Sequence, residues 1–154
     1  MKHRRLVPVL LLVLLLVLLA LPAWAGADPQ AAVRTLLAQQ VAAWNRGDLE
    51  GYMAGYWRSP DLRFYGGGTI TSGWQQTLDR YRKRYQSGPQ QMGTLSFSGV
   101  EVQVLCADAA LARGRWVLAL PVSGCPTQRA GLFTVILRRL PEGWRIVHDH
   151  SSAE

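Results

Sequence analysis

Near its C-terminus the chain reads Gly143-Trp144-Arg145-Ile146-Val147-His148-Asp149-His150-Ser151-Ser152. Alternation with a period of two makes this a β-strand entered through the Pro141-Glu142-Gly143 turn, with Trp144, Ile146, His148 and His150 on one face and Arg145, Val147 and Asp149 on the other. The segment before it, Leu132 to Leu137, is apolar at both parities and reads as a central strand that needs cover on both faces. Further back, Ala110 to Leu120 places Ala112, Trp116 and Leu118 opposite Arg113, Arg115 and Val117. Ala107 to Ala109 connect it to a strand beginning near Met92, in which Leu95 and Phe97 share one parity and Val100, Val102, Val104 and Cys106 the other. The phase slips at Ser98-Gly99, the mark of a β-bulge.

Ahead of these four strands the period changes to that of helices. Asp28-Pro29 is an N-cap followed by proline in the first turn, and Val33, Leu36, Leu37, Val41 and Trp44 recur at helical spacing until Gly47. Asp48 caps a second, shorter helix with Leu49, Met53, Tyr56 and Trp57 as its apolar stripe, ended by Ser59-Pro60. Leu62–Tyr65 and Thr69–Thr71 flank Gly66-Gly67-Gly68 and form a hairpin; the spacing and lysine of a phosphate-binding loop are missing. Ser72-Gly73-Trp74-Gln75 has the form of a capping box, and Trp74, Leu78, Tyr81 and Tyr85 give the third helix an aromatic face beside a basic flank of Arg80, Arg82, Lys83 and Arg84. That flank is read first as solvated surface and second as an attractor of an anionic ligand or membrane.

Composition bounds the chain from outside. It has 154 residues, 49% hydrophobic and 18% charged, which suits one globular domain and excludes disorder. Residues 1–25 read as a signal peptide: Lys2, Arg4 and Arg5, then a Leu/Val run, then Pro22 before Ala23-Trp24-Ala25. The rival reading is an uncleaved anchor, since Leu6 to Ala25 is uncharged and long enough to span a bilayer. Cleavage leaves one domain, residues 26–154, in the periplasm or outside the cell. The leader holds three of the 17 basic residues and no acid, so the net charge of +7 falls to +4 without it. No nucleic-acid motif is present. Cys106 and Cys125 are expected as free thiols, because the strand between them spans about 27 Å and a disulfide needs Cα atoms within about 7 Å.

The order helix, helix, short hairpin, helix and four long strands with a bulge resembles the nuclear transport factor 2-like cone. Ala43-Trp44-Asn45-Arg46-Gly47-Asp48, Tyr56-Trp57, Gly73-Trp74 and the terminal Trp144-to-Ser152 run tighten the likeness. Together they resemble the SnoaL-like exported bacterial branch that is similar to the association domain of calcium/calmodulin-dependent kinases, over residues 29–152. The resemblance implies an α+β fold, three helices packed on a strongly bent, mostly antiparallel sheet, with a pocket inside and a homodimer formed through the sheet. It implies no single activity, because the superfamily includes ketosteroid isomerase, polyketide cyclases and non-catalytic binding domains.

Candidate site residues follow from the strand parity. His148 and His150, grouped with Trp144 and Ile146, face the core, where an imidazole needs a partner. Four roles stay open for them: binding a ligand, general acid/base catalysis, a structural network, and metal binding, for which no third ligand is identifiable. With Trp44, Tyr52, Tyr56, Tyr65 and Tyr81 they make the expected ligand-binding set, each aromatic being first of all a core residue. No acid is placed in the pocket: Asp48 is a cap, Asp79 lies off the aromatic face and Glu101 faces away from the apolar side of its strand. The expectation is an exported domain that binds a small organic molecule without cofactor or metal, and contacts a membrane only if the leader stays. The alternative is a lyase or isomerase of the ketosteroid isomerase or polyketide cyclase type using His148 or His150.

Overall fold

A computed structural model describes residues 28–86, 92–120 and 127–154. The leader and Cys125 lie outside them. Asp28 caps helix α1 (Pro29–Asn45), its carboxylate accepting from the Gln30 N–H at 3.1 Å, and Pro29 sits in the first turn, where its missing N–H leaves nothing unpaired. Asp48 does the same for α2 (Leu49–Met53), accepting from the Gly51 N–H at 2.7 Å. The stripe expected to run on through Tyr56 and Trp57 leaves the helix after Met53. The Trp57 N–H donates to the Ile146 carbonyl and the Ile146 N–H donates to the Gly55 carbonyl, both at 2.9 Å, so sheet-type bonds replace helical ones.

The glycine-rich segment is the hairpin turn between β1 (Arg63–Gly66) and β2 (Thr69–Ser72), with Gly67 and Gly68 both at positive φ. Helix α3 (Trp74–Tyr85) starts from Gly73, and no side chain caps it; the capping box read from Ser72 to Gln75 does not form because the helix opens one residue later than that motif requires. Four long strands follow: β3 (Thr94–Cys106), β4 (Ala109–Leu120), β5 (Thr127–Leu140) and β6 (Gly143–Ser151). The sheet order is β2-β1-β6-β5-β4-β3, antiparallel throughout except for the β1–β6 pair. β3 is bulged between Ser98 and Glu101, where the phase slip lay, with Gly99 at φ +58°.

The three helices cover one face of this sheet, and the core lies between them. Val33, Leu37, Met53 and Leu78 from the helices share it with Ala112, Leu118, Val135, Leu137 and Ile146 from the strands. β5 is central, as its apolar run requires, but among the described residues nothing covers its second face: Leu132 is 57% and Ile136 38% exposed. Cys106 is exposed and unbridged, its thiol donating to the Asp108 carboxylate at 3.0 Å.

Candidate functional site

The site is set by an irregularity in β6. Leu137 of β5 faces Ile146, but the next residue back, Ile136, faces His148, so Val147 is an extra residue bulged out of the ladder. Its cause is a change of partner along the other edge of the strand. Up to Ile146, β6 bonds to the Gly55–Trp57 segment; from His148 onward it runs parallel to β1. The extra residue reverses the parity of everything after it. Trp144 and Ile146 face the helices as expected, and then Asp149, not the histidines, takes the inner side, 4% exposed and opposite the buried Val135.

His148 and His150 are therefore corrected to the outer face of the sheet, level with Ile136 and Thr134. Tyr65 lies there too, its ring 5.0 Å from His148 and 6.1 Å from His150. Partial burial and the neighbouring His150 lower the His148 pKa. None of these three lines the internal cavity, whereas Trp44, Tyr52, Tyr56 and Tyr81 all do. Among the described residues no three His, Cys, Asp or Glu side chains gather as metal ligands would.

The cavity holds about 150 Å³ between α1, α2, α3 and the inner face of the sheet. Aromatic edges and aliphatic side chains make most of its wall. Trp44 meets Tyr52 at 5.1 Å, Tyr81 at 5.9 Å and Tyr85 at 4.9 Å, each edge to face, an arrangement favoured by the ring quadrupoles. Asp149 is its polar centre. The Tyr56 hydroxyl donates to one carboxylate oxygen at 2.7 Å and the Ser151 hydroxyl to the other at 2.8 Å; Tyr52 stands 3.4 Å beyond Tyr56, hydroxyl to hydroxyl.

Burial dominates the electrostatics of this row. It pushes Asp149 up to about 6, against the opposing pull of the Tyr56 and Ser151 hydrogen bonds and of His150. Burial, with the Asp149 charge as a further cause, raises Tyr52 to about 12 and puts Tyr56 and Tyr81 well above the ordinary phenol value. The phenols thus stay protonated donors while the carboxyl changes state near neutrality, so the row can take up or release one proton inside an apolar enclosure. One donor of a lining residue is unused: Trp44 Nε1 is buried with no acceptor among the described residues.

Arg80 and Arg84 of α3 also line the cavity. Arg80 is held in place, donating to the Gly66 carbonyl at 2.7 Å and the Thr71 hydroxyl at 2.9 Å, with its guanidinium 5.3 Å from the centre of the Phe64 ring. Arg84 is exposed and lies 5.5 Å over Tyr85 with no acidic partner among the described residues. The acids that the sequence left outside the pocket stay outside: Asp48 caps α2, Asp79 bonds Gln75 and Arg82, and Glu101 pairs with Arg113.

Helices on one face of a six-stranded, mostly antiparallel sheet, enclosing an aromatic cavity with one buried carboxyl, define a class of small α+β pocket proteins. This chain belongs to the SnoaL-like domain family, whose model matches residues 33–154. A solved NTF-2 like protein of unknown function from Shewanella oneidensis MR-1 is 36% identical, covering 81% of this chain and 99% of its own, with a TM-score of 0.72. A nuclear transport factor 2-like superfamily protein from Salmonella enterica serovar Typhimurium LT2 shares the fold at 19% identity, 81% and 90% coverage and a TM-score of 0.69. So does a putative calcium/calmodulin dependent protein kinase II association domain from Xanthomonas campestris, at 20% identity, 88% and 92% coverage and a TM-score of 0.66. No curated protein matches the chain.

Proposed function

We propose that this domain binds a small organic molecule in the cavity between its helices and sheet, and that it does so outside the cytoplasm as a homodimer. The observation that carries the reading is the buried Asp149–Tyr56 pair in an aromatic enclosure beside an unpaired Trp44 Nε1–H. Buried polar groups cost free energy unless paired, and a ligand carrying a hydroxyl or carbonyl would supply the missing acceptor. An apolar cavity of about 150 Å³ admits a ring of benzene's size, so phenol is a suitable first probe. Titration with phenol is expected to move the Trp44 indole N–H and Val135 methyl signals in NMR spectra while leaving the outward Ile136 methyls still. Absence of binding, or shifts confined to the outer face, would overturn the reading.

The export component rests on the leader read from residues 1–25. Intact mass of protein taken from the native envelope is expected to correspond to a chain beginning at Gly26; a mass that keeps Met1 to Ala25 favours the anchor.

A second reading is favoured by Asp149 itself, namely lyase or isomerase chemistry in which this carboxylate replaces the histidines as proton carrier. A base that titrates near neutrality inside an apolar pocket suits proton abstraction beside a carbonyl. Conversion of 3-cyclohexen-1-one to its conjugated isomer is the direct assay. A rate that rises with pH through about 6 and disappears in Asp149→Asn would support catalysis; an identical rate in the variant would leave binding alone.

A further inference from the structure

The two arginines of the cavity point to the kind of molecule it takes. We propose that the ligand is a small single-ring organic acid whose carboxylate meets Arg84 at the rim while a hydroxyl or keto oxygen at its other end meets Asp149 and Tyr56. This rests on the binding reading above and adds the chemical class.

Three observations carry it. First, the cavity has two polar ends and an apolar middle. Asp149 lies opposite Phe64 in the parallel β1–β6 register, while the Arg80 guanidinium is fastened to the Gly66 carbonyl, two residues further along β1. Two residues of strand cover roughly 7 Å, which sets the arginine end of the cavity apart from Asp149, and Arg84 follows Arg80 by one turn of α3. Asp149 is bonded to Tyr56 and Ser151, not to either arginine, so the two ends are separate.

Second, the arginines differ in what they have left to offer. Arg80 spends its donors on Gly66, Thr69 and Thr71 and so fixes the rim. Arg84, one helical turn on, keeps its guanidinium without an acidic partner among the described residues, over the face of Tyr85. Neighbouring Arg82 reaches Glu50 and Asp79. A positive group with no internal counter-ion at the edge of an aromatic enclosure favours an anion, and the guanidinium fork matches a carboxylate.

Third, the wall of the cavity includes Trp44, Phe97, Phe133 and Val135, which suit a flat ring, while the buried Gln40 beside them spends its amide N–H on the Tyr52 carbonyl. The inner end takes an oxygen bearing a proton or able to accept one, since Asp149 and Tyr56 can supply either side of a hydrogen bond.

The test compares three probes, 4-hydroxybenzoate, 4-hydroxybenzamide and phenol, by calorimetric titration at pH 7.5 on the native chain and on two variants. Arg84→Gln removes the proposed partner, and Lys83→Gln removes the same charge from an adjacent position that does not line the cavity. 4-Hydroxybenzoate is expected to bind tightest, to lose roughly five- to tenfold in affinity in Arg84→Gln, and to lose little in Lys83→Gln. Phenol should bind all three proteins alike. Equal losses in the two variants would reduce the effect to net charge and overturn the proposal, and so would a preference for the amide over the acid. In either case phenol binding would leave the cavity reading standing, whereas failure of all three probes would remove both.

Discussion

At the scale of single residues the site turns on Asp149, whose placement makes two predictions. Folding raises its pKa from 3.8 to about 6, so the folded state prefers the protonated acid. The native fold is fully favoured below the unfolded value and loses stability as pH rises through about 6, by about 3 kcal/mol at most for a shift of this size. Asp149→Asn keeps an acceptor for Tyr56 and cannot ionise. Its melting temperature is expected to exceed that of the native chain above pH 7 and to match it near pH 4. A variant less stable at both pH values would mean that the carboxylate is not disfavoured in the fold. Tyr56→Phe acts in the opposite sense: without the phenol that donates to the carboxylate, the Asp149 titration followed by 13C NMR should move further upward.

Among the elements, β6 is the one whose course sequence alone could not supply. The bulge in β3 was legible because Gly99 interrupts the alternation of apolar residues on either side of it. In β6 the same event falls on Val147, an ordinary strand former, and its only trace is two adjacent apolar residues, Ile146-Val147. The cause is tertiary: the strand exchanges the Gly55–Trp57 segment for β1 as its neighbour, and nothing in residues 143–152 records that. The caps at Asp28 and Asp48, the glycine turn and the centrality of β5 were readable because each depends on local chemistry or on a strand's own pattern. Trp44, Tyr52 and Tyr81 reached the cavity because helical period survives intact, and Tyr56 reached it from beyond the helix end, bridged to Ile146; His148 and His150 depended on a register that shifts, and Tyr65 on the alternation in β1 that turns Phe64 inward.

The C-terminal tail makes a test of that same packing. A Cβ at Gly131 would stand 1.9 Å from the Ser152 carbonyl oxygen, a backbone atom with little room to move. That backbone is pinned, since the Ser152 N–H donates to Leu132 and the Glu154 N–H to Ala130, with Arg115 bonding the Glu154 carboxylate. Gly131→Ala is expected to cost about 1–3 kcal/mol, read as a lower urea midpoint with unchanged slope. Because Ser151 and Ser152 line the cavity, the variant should also weaken phenol binding. Native stability in Gly131→Ala would show the tail to be free of the sheet.

For the whole molecule the open question is what covers the outer face. Within one chain β5 leaves Leu132 and Ile136 exposed at its centre, flanked on β4 by Arg115 opposite Leu132 and Leu111 opposite Ile136, and on β6 by His148. Aliphatic side chains in the middle of a six-stranded sheet, with charged and polar residues around them, have the layout of an interface with an apolar centre and polar rim. A second copy meeting it about a two-fold axis would remove Leu132 and Ile136 of both chains from water. Light scattering on the domain from residue 26 is expected to give twice the chain mass, and Leu132→Glu to give the monomer by placing one carboxylate from each chain in the apolar centre of the seam, where its desolvation is costly. Since Leu132 faces away from the cavity, the monomeric variant should keep its phenol affinity. A native chain that stays monomeric at all concentrations would leave the exposed centre of β5 without a second copy to cover it.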